Sequence, residues 1–366
     1  MTSELPQNNV QLLSLVKENG ELDLYLAREP MPELAEHEVL VKVLATPINP
    51  SDLFLLLAGA DISAATASSR DDLPVVTAPI APAVMRGLAG RVGQAMPVGN
   101  EGAGMVVKAG ASPEAQALLG KTVAVLGRRM FTQYISVAAK TCVVLPDGTD
   151  PRDGASCFVN PMTALGFVET AKRDGHKAIV HTAAASNLGQ MLNRICIADG
   201  IPLVNIVRKE EQVALLKAQG AKYVLNSTSD TFKQELAAAI AETGATVVFD
   251  AIGGGELATQ ILNAMEVDAI GAMAEFNRYG SDVMKQLYVY GLLDLSPKTF
   301  TPARLGFRWS ISGWLLTHFL AAAGPEVIGR IRARVAAELT TTFASDYSHQ
   351  ISLEQVRSEE HTSELQ

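Results

Sequence analysis

The chain has 366 residues, 48% hydrophobic and 19% charged, with a formal net charge of -9. That length exceeds one compact core and fits two domains, while the composition excludes a disordered chain. Acidic and basic residues are interspersed with no basic stripe, so neither a nucleic-acid nor an anionic-membrane partner is expected. No run reaches the about 18 to 20 apolar residues that span a bilayer, and the N-terminus has no signal-peptide pattern. A cytoplasmic protein is expected.

Cys142, Cys157 and Cys196 lack CxxC spacing and read as reduced thiols. The final residues 357–366, Arg-Ser-Glu-Glu-His-Thr-Ser-Glu-Leu-Gln, match the in-frame translation of a common sequencing-library adapter, AGATCGGAAGAGCACACGTCTGAACTCCAG. They are expected to be a scar, with the natural C-terminus missing beyond about Val356; a genuine polar tail is the alternative.

Residues 1–155 read as short strands between Gly/Pro turns, at 10–16, 38–45, 102–109, 122–126, 133–137 and 142–145. This predicts a β-rich domain with few helices. Within it, 59–94 is rich in Ala, Gly, Pro and Ser and shows little periodicity. A loop of that length either covers a substrate cleft or is a tolerated surface insertion.

From about Cys157, apolar strands alternate with helices: strand 177–182, helix 188–199, strand 202–207, helix 210–219, strand 223–225, helix 231–243, strand 246–250, helix 256–265 and strand 286–290. Alternation at this spacing predicts an α/β Rossmann domain over 156–295, with a doubly wound parallel sheet. The remaining residues, 296–356, are expected to supply helices that complete the first domain.

A dinucleotide site needs a strand, a tight small-residue turn and a helix whose N-terminal N–H groups meet the pyrophosphate. The turn here is Thr182-Ala-Ala-Ala-Ser-Asn-Leu-Gly189, with Ala184, Ser186 and Gly189 at the three positions of GxGxxG. One glycine of the three remains, so the motif alone is also what plain helix–strand packing would produce. Its setting between an apolar strand and a helix favours the cofactor reading. Nineteen residues past Gly189, where a carboxylate would take the ribose 2′-hydroxyl of NAD, stands Arg208-Lys209. A guanidinium binds a 2′-phosphate, so NADPH is the expected cofactor; two ordinary solvated cations at a strand end are the alternative.

Asn49-Pro50-Ser51-Asp52, Gly99-Asn100-Glu101-Gly102, Asn160-Pro161-Met162-Thr163-Ala164 and the 182–189 turn come in the order found in medium-chain dehydrogenase/reductases. Over roughly 12–356 the chain resembles the zinc-free, 2-enoyl thioester reductase-like and quinone oxidoreductase-like branch. The resemblance implies a GroES-like catalytic domain beside the Rossmann domain. It also implies cofactor contacts from Asn160, Thr163, Ala185, Ser186, Asn187, Leu188, Gly189, Arg208, Lys209, Tyr290, Gly291 and Trp314, with Asn49 lining the nicotinamide. Zinc-dependent relatives carry Cys and His where Asn49 and Asn100 stand; carboxamides are poor zinc ligands, so no metal is expected.

The implied reaction is hydride transfer from NADPH to the activated C=C of an enoyl thioester or enone. Such reductases carry a tyrosine shortly after the Asn-Pro-Ser-Asp motif, and 53–60 has none. Tyr134, Ser51, a cofactor hydroxyl or water remain as the donor to the oxygen where charge grows. The missing tyrosine keeps an NADPH quinone oxidoreductase open as an alternative, and a non-catalytic NADPH-binding protein as a third. A homodimer, joined through an exposed sheet edge at 286–290, is expected.

Overall fold

A computed structural model describes residues 5–355; the adapter-like residues lie outside them. The chain divides into two compact units, one running to Val159 and resuming at Ser345, the other Asn160–Ala344.

The first unit contains β1 (Asn8–Val16), β2 (Glu21–Pro30), β3 (Glu38–Ala45), α1 (Pro50–Leu57), β4 (Thr66–Arg70), β5 (Leu73–Pro79), α2 (Pro82–Gly87), β6 (Ala95–Pro97), β7 (Glu101–Ala109), α3 (Pro113–Gln116), β8 (Thr122–Leu126), β9 (Tyr134–Ala138), β10 (Val143–Val144) and α4 (Pro151–Ala155). They form two sheets, ordered β4-β5-β2-β1-β6 and β10-β8-β7-β3-β9. Leu22, Leu24 and Leu26 alternate along β2 into one core with Leu12 and Leu56, and Val39, Val41, Val123, Val125 and Ile135 fill the second. The sequence reading omits β2 despite that alternation.

Residues 59–94 are not one long loop. β4 and β5 form a hairpin, with Arg70 opposite Leu73, and β5 pairs with β2. Its two-residue turn is Asp71 (φ 51°) and Asp72 (φ 61°), the left-handed pair that a tight hairpin demands and aspartate tolerates. The sequence Thr-Ala-Ser-Ser-Arg of β4 is exposed throughout, so no hydrophobic period announces it.

The second unit contains α5 (Val159–Arg173, starting at the boundary), β11 (Ile179–Thr182), α6 (Asn187–Asp199), β12 (Leu203–Val207), α7 (Glu210–Ala218), β13 (Tyr223–Asn226), α8 (Phe232–Thr243), β14 (Val247–Asp250), α9 (Leu257–Gly271), β15 (Lys285–Val289), β16 (Trp309–Gly313) and α10 (Leu316–Ala337). α10 is broken at Gly324 (φ 78°), just before Pro325. The sheet order is β13-β12-β11-β14-β15-β16 with every neighbouring pair parallel. Chain order reverses between β11 and β14, and ligands of such sheets bind outside the carboxyl ends of the strands at that point.

Two expectations change here. The stretch 296–356 does not return wholly as helices to the first domain: it supplies a sixth parallel strand, β16, and α10, and the first unit resumes only at Ser345. β15 is consequently interior, and β16 is the sheet edge. The Trp-Ser-Ile-Ser-Gly strand is short and half polar, which hid it.

β15 also carries a buried cation. Lys285, fully buried, donates to Glu266, to Ser281 Oγ (3.2 Å) and to the Val283 carbonyl (2.8 Å). Glu266 further accepts from the Ser281 N–H (2.7 Å) and hydroxyl (2.6 Å). Burial opposes ionisation of Glu266, but Lys285 and Ser281 together hold it below the usual carboxylate range.

Candidate functional site

The β11–α6 turn is shaped by close backbone approach. Ala183 takes a left-handed conformation (φ 52°), and Ala184 is fully buried, its N–H bonded to the Ile206 carbonyl (3.1 Å). A Cβ on Gly189 would lie 2.2 Å from the Ala184 carbonyl oxygen, so the one remaining fingerprint glycine is required. Ser186, at the second fingerprint position, is the N-cap of α6 and accepts from the Gly189 N–H (3.2 Å). Its hydroxyl is thereby turned onto the helix. Ala185 and Asn187 are half-buried and Leu188 buried.

Arg208 and Lys209 follow β12 and are exposed. Their N–H groups donate to Gln212 Oε1 (3.1 and 3.2 Å), which starts α7. Lys209 is paired with Glu211 (3.3 Å), whereas Arg208 forms no ion pair among the described residues.

At the switch point, Asp250 is buried and accepts from the Thr182 hydroxyl (2.9 Å), the Ile252 N–H (3.0 Å), the Gly253 N–H (3.3 Å) and Lys298 Nζ (2.6 Å). Gly291 sits where a Cβ would meet the Ala251 carbonyl at 2.7 Å. The end of β11, the turn after β14 and the segment after β15 are thus fastened together around one carboxylate.

Tyr290 and Trp314 have different settings. The Tyr290 hydroxyl bonds His181 Nε2 (2.7 Å), and its ring packs on Phe167 (4.8 Å between centroids). Trp314 packs edge-on against Phe167 and donates to the Thr170 hydroxyl (3.0 Å). Both belong to an aromatic cluster against α5. Burial pushes His181 down to about 3 despite Asp250, and raises Tyr290 well above the usual tyrosine range. Asn160 and Thr163 lie on the first turn of α5, half-buried and buried.

In the first unit, Asn49 is the N-cap of α1, with Pro50 at the first helical position. Its Nδ2 donates to Glu101 Oε1 (2.9 Å), and its N–H donates to Asp52 Oδ2 (2.8 Å). The other Asp52 oxygen accepts the Asn100 N–H (2.9 Å). Glu101 Oε2 accepts the N–H groups of Phe158 (2.7 Å) and Val159 (3.0 Å). Burial pushes Glu101 up to about 7, against those N–H groups and the Asn49 amide, with the Asp52 charge adding. Burial likewise takes Asp52 to about 6, against the Asn49 and Asn100 N–H groups.

Ser51 is exposed beside this cluster and accepts from Asn100 Nδ2 (3.1 Å), which leaves its own O–H free to donate. Tyr134 is anchored through its backbone by Asn9. It stands opposite the exposed Lys42 on the face away from buried Ile135, and its hydroxyl makes no hydrogen bond among the described residues.

The sequence reading misses Glu101, Asp52, Asp250 and Lys298 as site residues. The spacing Asn49-x-x-Asp52 is a capping-box signal, and Asp250 ends an apolar strand, so both were findable. Glu101 stands in the 99–102 motif, which assigns it no role, and nothing local marks Lys298.

The described residues hold no group of three or more His, Cys, Asp or Glu side chains able to take a metal. The cysteines are separate, and burial raises the thiols of Cys142 to about 11 and of Cys157 and Cys196 to about 12. This donor set does not fit zinc.

Comparison with known proteins agrees with the architecture. The zinc-binding dehydrogenase family profile matches residues 188–276. Prostaglandin reductase-3 of Mus musculus is 26% identical over 61% of this chain and 57% of its own length. The mitochondrial enoyl-[acyl-carrier-protein] reductase of Caenorhabditis elegans is 28% identical over 54% of this chain and 49% of its own. The chain thus spans about half the length of these curated relatives. Among solved structures, a Mesorhizobium loti protein assigned as an NADPH:quinone reductase is 26% identical, with TM-score 0.67, over 92% of this chain and 90% of that one. The mitochondrial 2-enoyl thioester reductase heterodimer of Candida tropicalis shares the fold at 19% identity, with TM-score 0.66, over 96% and 95%. The fold is that of the medium-chain dehydrogenase/reductases, a GroES-like unit with a Rossmann unit. Within that class, the similarities are to enoyl reductases, a prostaglandin reductase and a protein assigned as an NADPH:quinone reductase.

Proposed function

We infer that the protein is an NADPH-dependent reductase acting without zinc on the activated C=C of an enoyl thioester or enone. The observation that carries this is Arg208, a guanidinium in no ion pair among the described residues, at the end of β12 beside a turn whose Gly189 cannot be replaced without a backbone clash. The turn accepts the cofactor in chemical terms: small side chains, a helix N-terminus, and a serine folded back onto the helix. Ala185, Ser186, Asn187, Leu188 and Gly189 would hold the pyrophosphate, and Arg208 and Lys209 the 2′-phosphate. Asn160, Thr163 and Gly291 would line the nicotinamide half, with Tyr290 and Trp314 acting as packed supports. When bound, the cofactor supplies the hydride.

The chain's own contribution is positioning and charge stabilisation. Glu101 orients the Asn49 amide, Asp52 holds Asn49 and Asn100 at one carboxylate, and Ser51 offers an O–H to an oxygen gaining negative charge. Of the two named side-chain substitutes for the missing tyrosine, Ser51 is favoured because it adjoins Asn49, while Tyr134 lies on the Lys42 face of β9. A quinone oxidoreductase is the second reading, supported by the absent tyrosine and by similarity to the Mesorhizobium loti protein.

The buried thiols suit a reducing compartment, and the cytoplasm is the proposed location. No described helix is long and apolar enough to cross a membrane. The β16 edge is the proposed homodimer contact.

Steady-state assays with NADPH test the acceptor. Turnover of enoyl thioesters or enones is expected; turnover of 1,4-quinones alone would overturn the first reading in favour of the second.

A further inference from the structure

A pair of glutamines links the end of α7 to the turn between β11 and α6. Gln190, buried in the first turn of α6, donates from Nε2 to the Ala185 carbonyl (3.0 Å). Its Oε1 accepts from Gln219 Nε2 (2.7 Å). Gln219 is the C-cap of α7, and its N–H is held by the Leu215 and Leu216 carbonyls (3.2 and 3.1 Å). The next residue, Gly220, is left-handed (φ 90°), and the Ala221 N–H returns to the Leu216 carbonyl (3.0 Å). The outer glutamine therefore stands on a closed helix end.

The turn sets the direction of both amides. A carbonyl can only accept, so Gln190 must present its NH2 to Ala185 and its oxygen to the far side. That oxygen in turn requires the NH2 of Gln219. Gln219 Oε1 is left buried with no hydrogen-bond partner among the described residues. A buried acceptor without a partner is destabilising, so the pair leaves one acceptor unmet in presenting a donor to the turn.

That donor fixes one peptide plane. The Ala185–Ser186 peptide has its carbonyl on Gln190 and its N–H on the Ala183 carbonyl (3.1 Å). The plane precedes the first N–H groups of α6, which have no intrahelical acceptor and suit an anion at the helix N-terminus. A carbonyl turned out toward that anion would repel it; Gln190 keeps this one turned back onto the helix.

We propose that Gln190, backed by Gln219, is a positioning residue for the cofactor pyrophosphate, holding the Ala185–Ser186 peptide so that N–H groups and not a carbonyl meet the phosphates. This rests on the β11–α6 turn being the dinucleotide site. Arg208 has no part in the relay, so the pyrophosphate and the 2′-phosphate are held by separable devices.

The test is equilibrium binding to the full chain and its variants of NADPH and NADH, by cofactor fluorescence, and of adenosine 2′-monophosphate, by calorimetry. The last carries the 2′-phosphate but no pyrophosphate. Gln190→Met keeps the side-chain length and loses both hydrogen bonds, and thermal unfolding checks that the fold is retained. It is expected to weaken NADPH and NADH by the same factor, about three- to tenfold as loss of one neutral hydrogen bond supplies, and to leave adenosine 2′-monophosphate within about twofold. Gln219→Met, which leaves the Ala185 bond in place, should show the same pattern at smaller amplitude, and it carries the test if Gln190→Met does not fold. Unchanged NADPH and NADH, or equal weakening of all the probes, overturns the role of Gln190. Arg208→Ala is expected to do the reverse, abolishing adenosine 2′-monophosphate binding and the preference for NADPH; if it does not, the 2′-phosphate assignment falls and that of Gln190 stands. If the unaltered chain binds neither dinucleotide, the cofactor reading falls and the role of Gln190 with it.

Discussion

In the parallel-sheet unit each buried carboxylate meets a lysine: Asp250 pairs with Lys298 and Glu266 with Lys285. The β-rich unit does the same for Asp23, which Lys17 and Arg70 approach. Among the described residues, Glu101 and Asp52, equally buried, meet only N–H groups and an amide. An ammonium stabilises the ionised form outright, whereas N–H donors offset burial only in part. The first arrangement fixes each carboxylate in its ionised form. The second leaves two carboxyls whose protonation responds to pH near neutrality.

The contrast is broken most strongly by Lys285→Met. Glu266 would be left buried without its cation, at a cost of about 3 to 5 kcal/mol in denaturant unfolding. Glu101→Ala comes next: Asn49 Nδ2 and the Phe158 and Val159 N–H groups lose their acceptor, for a loss of about 3 kcal/mol. Gly189→Ala forces a backbone shift and should cost about 1 to 3 kcal/mol, with weaker NADPH binding measured alongside.

The pH dependence sharpens the same contrast. Glu101 moves from an ordinary 4.5 to about 7 and Asp52 from 3.8 to about 6 on folding, so the folded chain holds protons that the unfolded chain has released. Their contribution to stability is present in full below about pH 4 and is lost as pH rises through 6 to 7, by about 3 kcal/mol for each group. Thermal unfolding across pH 5 to 8 should show the decline, and Glu101→Gln should flatten it. The smallest effect is kinetic: Ser51→Ala should lower kcat about tenfold with the KM for NADPH unchanged, as loss of one transition-state hydrogen-bond donor.

The Rossmann unit is the more legible of the two in the sequence. Its strands are buried on both faces and read as apolar runs, and its helices carry their own period, so elements from β11 to β15 emerge within a few residues of their observed bounds, except that α9 runs six residues further, to Gly271. β4 and β16 stay hidden because exposed or half-polar edge strands need no apolar alternation. At the site, the turn and Arg208 are readable because a dinucleotide demands them at fixed offsets. Glu101 and Lys298 are not, because each finds its partner only after folding, across 52 positions to Asn49 and 48 to Asp250.

The central claim, hydride chemistry from NADPH without a metal, is tested most directly by NADPH oxidation after exhaustive chelation, with enoyl thioester, enone and quinone acceptors. Undiminished turnover of at least one acceptor, with NADPH strongly preferred to NADH, is the predicted result. Activity that vanishes on chelation and returns with zinc, or equal use of the two cofactors, would contradict it.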